Sequence, residues 1–267
     1  MNMFLYELKS LRKSTITWTI SILALTSLYL SLFPSIVNEG EEFRQLLGSY
    51  PEAIRHILGI NLDYITSLLG FYSFIFTFII LCGAVQAMNI GVSILSKEGR
   101  ERTADFLLVK PVSRFSIVSA KLLAAFTAIV ITNTIYIVAS TTLANMIKIE
   151  DFSNKLFLMI NLTMLFVQII FIAIGMLASM FFKKLKNILP LSLGLVFGFY
   201  FIGAFLVTDR SDTLERMLSP FKYFDVFYIL DNGSYESFYI IVSVVVVVVS
   251  IVASYLIYWK KDIHAVS

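Results

Sequence analysis

The chain has 267 residues, 58% of them hydrophobic and 15% charged, with a formal net charge of +3 and a mean hydropathy of +0.84. That balance lies far outside the norm for soluble domains and excludes an ordinary globular fold; it is the balance of an all-α integral membrane protein. The small positive charge follows from topology, as set out below, and calls for no nucleic-acid partner.

Residues 1–13 place Phe4, Leu5, Leu8 and Leu11 on one helical face and Glu7, Lys9, Arg12 and Lys13 elsewhere. This predicts a short helix in the membrane interface that enters the first span through an elbow. The alternative is a plain extension of that span into the cytoplasm. No small-residue cleavage site follows the basic start, which predicts an uncleaved first helix.

Charge-free runs long enough to cross the hydrocarbon core, the third of them starting at Leu122, predict six spans, at 15–33, 67–95, 119–147, 156–182, 187–208 and 237–259. Together they form a single transmembrane domain. Pro34 marks the end of the first. In the loop after it, Ser49, Pro51 and Glu52 form a helix-start signature and Gly59 a stop, predicting a short outer helix. The second span is longer than a bilayer requires and carries Gly83, Ala87 and Gly91 at four-residue spacing. Gly194 and Gly198 repeat that spacing in the fifth span, and both faces suit close helix packing, within one bundle or between subunits. Pro190 can kink the fifth span. The loop at 209–236 holds Phe221, Tyr223, Phe224, Phe227, Tyr228, Ile229 and Leu230, too apolar for a solvated linker, and is expected to fold back toward the membrane. Cys82, the single cysteine, reads as a buried structural thiol.

With both termini inside, 14 of the 21 Lys and Arg residues fall on the inner side, against 5 of the 18 acids. Basic residues accumulate in cytoplasmic loops, so this bias predicts a multi-pass protein of the cell membrane with both termini cytoplasmic.

Reactive chemistry is missing from the spans. No ionisable residue lies deep within them; the polar groups there are Gln86, Asn89, Asn133, Asn161 and Gln168. These serve interhelical hydrogen bonding or line a substrate route. His56 and His264 fall on opposite sides of the predicted topology, so no shared metal site is expected. No glycine precedes a lysine, so the phosphate-cradling P-loop signature is absent. The chain is not expected to be an enzyme or to bind a cofactor of its own.

The loop at 96–117 is different. Residues 97–110 read as an amphipathic helix with Thr103, Phe106, Leu107 and Lys110 near one face and with Glu98 and Arg102 one turn apart. Pro111 ends it, and Ser113 can cap the next helix. Such an element either docks in a groove of a soluble partner or lies on lipid headgroups. A sensor or assembly protein that uses the loop without ATP, or a secondary carrier, is compatible with these residues.

Glu98, the segment Arg102-Thr-Ala-Asp-Phe-Leu-Leu108, Pro111-Val-Ser-Arg114 and Lys121 together resemble the inner loop of ABC-2 type transporter permeases. The chain departs from that pattern with Arg102 for Gly, Ala104 for Leu and Asp105 for Glu. The order of elements, including the proline-led outer helix at Pro51 and Ser219-Pro220 to Asp225 before the last span, is also similar to that family. The resemblance implies the membrane subunit of an ATP-driven exporter, working as a dimer of permease chains, homodimer before heterodimer. The loop then acts as a coupling helix whose Glu98, Arg100, Arg102, Thr103, Asp105, Phe106, Leu107, Leu108, Pro111, Ser113 and Arg114 meet a separate P-loop ATPase. That subunit, in two copies, binds ATP and Mg. The fifth-span glycines and residues 221–230 are implied to shape the exit.

Overall fold

Every secondary-structure element among the described residues is a helix. The computed structural model describes residues 3–51, 54–55, 58–101, 113–182, 187–206 and 213–260, with backbone alone at 98–101 and at 260. Helix α1 spans Met3–Ser31, α2 Phe33–Asn38, α3 Gly40–Gly48, α4 Leu68–Glu101, α5 Arg114–Ile147, α6 Asn154–Phe181 and α7 Leu189–Leu206. After these come α8 (Thr213–Arg216), a 3-10 turn (Pro220–Lys222), α9 (Val226–Asn232) and α10 (Ser237–Lys260). Six segments are long and apolar enough to cross a membrane: α1 with α2, then α4, α5, α6, α7 and α10. The protein is an all-α integral membrane bundle.

One expectation about the first segment is corrected. Residues 3–13 form no separate element, because α1 is a single helix of 29 residues. No Gly or Pro occurs before Pro34 to break it. The Thr15 and Thr19 hydroxyls donate to the carbonyls of Leu11 and Thr15 in the same helix, so neither residue diverts the backbone. Pro34 sits in the first turn of α2, where its missing N–H costs nothing, and the chain stays helical beyond it. Pro190, for the same reason, opens α7 and kinks nothing.

Helices α4 and α6 pack most extensively, followed by α1 with α5; α10 then lies along α6, while α7 and α10 are the least buried. Glycine explains the closest seam. A Cβ on Gly91 would lie 2.4 Å from the Ile172 carbonyl oxygen, and one on Gly175 would lie 2.9 Å from that of Met88. The four-residue glycine spacing of the second span therefore serves packing within this chain.

Local signals fix the helix ends. Ser113 and Ser153 cap α5 and α6 by accepting the N–H of Ser116 and Leu156. Asp225 does the same for α9 through Tyr228, and Gly233 closes α9 at φ +62°. In the first loop Gly59 takes φ +69° and the Ile60 N–H reaches back to the Arg55 carbonyl, the Schellman closure of a short helix. Ile54, Arg55 and Leu58 are helical there; residues 52, 53, 56 and 57 of that expected outer helix lie outside the described residues. Ser49 donates to the Leu46 carbonyl and so ends α3, a helix that the sequence pattern left unmarked.

Residues 213–236 form a cap that folds back onto α6 and α7. Phe221 packs on Phe171 and Phe224 on Phe166, with ring centroids 5.1 and 5.3 Å apart. Ser219 donates to the Phe199 carbonyl and Tyr235 to that of Met159. Buried Arg216 ties the cap together and onto α10: it donates to both Glu236 oxygens and to the Lys222 carbonyl within the cap, and its guanidinium sits 4.1 Å from the ring centroid of Tyr239 in α10.

Candidate functional site

Helices α4 and α5 have 34 residues each, about 51 Å at 1.5 Å per residue against a hydrocarbon core of about 30 Å. Both therefore extend beyond one membrane face if they cross it. They converge at the end of the bundle that carries the 98–113 segment, called the loop end here.

A buried charge cluster braces that end. The Lys121 side chain is 1% exposed; its Nζ donates to the Ile94 carbonyl at 2.8 Å and lies 3.5 Å from Glu7 Oε1. Lys97 approaches the other carboxylate oxygen at 3.9 Å, donates to Ser10 Oγ at 2.6 Å and lies 5.5 Å from the Tyr6 ring centroid. One acid on α1 thus holds a lysine from α4 and a lysine from α5. Arg114 donates to the Tyr258 and Trp259 carbonyls at the end of α10, where the helix dipole favours a cation.

The residues expected at the site divide accordingly. Ser113 caps α5 and Arg114 ties it to α10, as just described. Glu98 and Arg100 lie in the last turns of α4, which continues helical to Glu101. Arg102, Thr103, Asp105, Phe106, Leu107, Leu108 and Pro111 lie outside the described residues, so the docking face expected of them does too. Glu7 was missed, since amphipathic patterning set it among the polar residues of a surface helix. The available signal was a lone acid in an otherwise basic segment next to a span.

Deeper in the bundle, polar contacts link the helices as rungs. Gln86 of α4 donates to Thr132 of α5, which also bonds to Thr19 of α1. Gln168 of α6 donates to Gln86 and to the Gly83 carbonyl and accepts from Asn133. Further along, Tyr72 hydrogen-bonds with Tyr136 and donates to Asn161, which also accepts from Ser140. Asn89 accepts from Ser192 of α7 at 3.4 Å. Gln86 and Asn89 are thereby engaged in interhelical bonding. Gly194 and Gly198 sit on an open face of α7, where among the described residues no other element comes within 4 Å of an added Cβ. Among the described residues no cluster of His, Cys, Asp and Glu is arranged to hold a metal ion.

The family described as "ABC-2 family transporter protein" matches residues 1–263, all six membrane-crossing segments included. The chain belongs to that family. No curated protein matches it significantly. As an ABC-2 family member it is a multi-pass permease subunit of an ABC transporter, a membrane subunit without an ATPase of its own. The family therefore implies an ATP-binding partner subunit.

Proposed function

We propose that this permease is the membrane-spanning half of an ATP-driven exporter and that its ATPase partner docks on residues 97–114. The observation that carries the reading is the convergence of two 34-residue helices, α4 and α5, on the single charged segment between them. Helices longer than the membrane is thick act as levers, because a push on their protruding ends reaches the membrane interior without a flexible joint. Nucleotide chemistry belongs to the partner; the task of this chain is to receive the displacement and convert it into a rearrangement of its helices.

In this reading two permease chains and two ATPases form the working unit, with the loop end and both termini in the cytoplasm of a cell-membrane protein. ATP and Mg are bound by the partner alone. Residues Phe106 and Leu107 supply the apolar contact in the partner's groove, with Glu98, Arg100, Arg102, Thr103, Asp105, Leu108 and Pro111 around it. The open Gly194–Gly198 face of α7 and, at the opposite end, the cap residues 221–230 shape the exit. A cytoplasm-facing loop fits the basic bias of the sequence.

The test is purification of the tagged chain from its native membranes in mild detergent, followed by mass spectrometry. A P-loop ATPase in about equal amount is the expected result, lost when Phe106 and Leu107 are both replaced by glutamate while membrane insertion persists. An intact permease that reproducibly carries no ATPase sinks the proposal and moves an ATP-independent sensor or carrier to the front.

A further inference from the structure

The two helices that flank the coupling segment belong to different packing pairs: α4 lies chiefly against α6, and α5 chiefly against α1, whereas direct contact between α4 and α5 is sparse. A displacement of the segment could therefore separate the pairs, leaving α1 with α5 alone. What joins them at the loop end is the Glu7 cluster. Its carboxylate, on α1, lies against Lys121 of α5 and Lys97 of α4, and Lys121 spans the gap by donating to the Ile94 carbonyl of α4.

We infer that Glu7 is a positioning residue of the transport cycle, a clasp that makes the displacement of the coupling segment move α1 together with α4 and α5. This rests on the ATP-driven reading proposed above. Three physical features support it. The Lys121 side chain is 1% exposed and that of Glu7 10%, so the pair is shielded from screening. Removing one member of a buried pair leaves an uncompensated charge, so the clasp stays closed when the helices are pushed. Finally, Lys97 and Lys121 lie on either side of residues 98–113, so both anchors of the segment are gathered on one carboxylate.

The position of Glu7 also gives α1 a role that its lipid-facing remainder does not. Exposed Ile16, Ile20 and Leu28 mark its outer side as apolar surface. Its polar contacts to the other helices include Thr19 in the middle and Glu7 with Ser10 at the loop end. The loop-end cluster is charged and adjacent to the coupling segment.

The experiment uses the purified permease–ATPase complex in lipid nanodiscs. Hydrogen–deuterium exchange of residues 3–13 is compared with and without a non-hydrolysable ATP analogue and Mg²⁺. In the wild type, the analogue changes exchange in this stretch. Glu7→Gln keeps the shape and removes the charge, and the nucleotide-dependent change is lost while the ATPase remains bound in the same ratio. The double variant Glu7→Gln with Lys121→Met guards against misfolding, because replacing both members of a buried pair by neutral residues of similar volume is often neutral or stabilising. It is expected to match the wild type in thermal stability and ATPase content and still to lack the response. A double variant that retains the wild-type response overturns the inference, as does a wild-type complex in which residues 3–13 do not respond. Failure to recover any ATPase with the wild type would instead sink the proposed function, an outcome separate from these.

Discussion

Replacing Gly91 with alanine sets a new Cβ 2.4 Å from the carbonyl oxygen of Ile172 and 3.0 Å from its Cα. Ordinary contact begins near 3.4 Å, and the opposing atoms are backbone, so no side-chain rotation relieves the clash. Helices α4 and α6 must part by roughly 1 Å, and a gap of that size forfeits about a quarter to a half of the dispersion well for each contact across the seam. Overpacking of this kind costs about 1–3 kcal/mol, and the upper end applies here. Alanine returns about 1 kcal/mol through its better helix propensity, leaving a net loss of about 2 kcal/mol. Gly83→Ala meets the flexible Met164 side chain at 3.0 Å and should cost less; Gly194→Ala and Gly198→Ala meet no other element within 4 Å among the described residues and should cost nothing. Equilibrium unfolding in mixed SDS micelles, followed by tryptophan fluorescence, reads the order directly. A Gly91→Ala protein as stable as Gly198→Ala would refute the claim that the second-span glycines bring α4 and α6 together.

Three further outcomes are expected. Arg216→Met should loosen the cap by about 3 kcal/mol, because it strands the largely buried Glu236 carboxylate without its cation; faster proteolysis within residues 213–236 of the intact protein would report it, and unchanged cleavage would contradict it. Tyr72→Phe should cost about 1 kcal/mol, the scale of an interhelical hydrogen bond in a membrane bundle, since it leaves Asn161 and Tyr136 short of a partner; an unchanged unfolding midpoint would show the rung to be dispensable. Burial holds the Lys222 ammonium below its ordinary value of 10.5, against the opposing pull of Asp225. The folded protein then binds fewer protons at this site than the unfolded chain between the lowered value and 10.5, so stability rises with pH across that window. Lys222→Met should accordingly stabilise the protein below the window, with the gain shrinking as pH rises through it; a gain independent of pH would exclude the desolvation argument.

The loop end shows how much of the site was legible beforehand. The two-helix frame around residues 97–114 could be read from hydropathy and from Ser113, because a capping serine after a proline is a local signal and Ser113 indeed accepts the Ser116 N–H. Glu7 could not be placed in the same way. Its partners Lys97 and Lys121 lie some 90 and 114 positions away, and no periodicity in residues 1–13 records what packs against them. The elbow expected near residue 13 failed for a related reason: amphipathic patterning describes which side of a helix prefers water, and it holds no information on whether the helix stops.

By itself, the amino-acid sequence determined how many helices cross the membrane, roughly where they end, and that the chain lacks the phosphate-binding signature of an ATPase. These properties depend on contiguous residues, since an unpaired backbone group in hydrocarbon forces each long apolar run into its own helix. Only the tertiary structure decided that Gly91 faces Ile172 while Gly194 and Gly198 face no other element among the described residues, that Gln86 and Gln168 bond to each other, and that Arg216 locks the cap. Identical four-residue glycine spacings carry opposite consequences because close packing depends on which helix lies opposite, a relation between residues far apart in the chain.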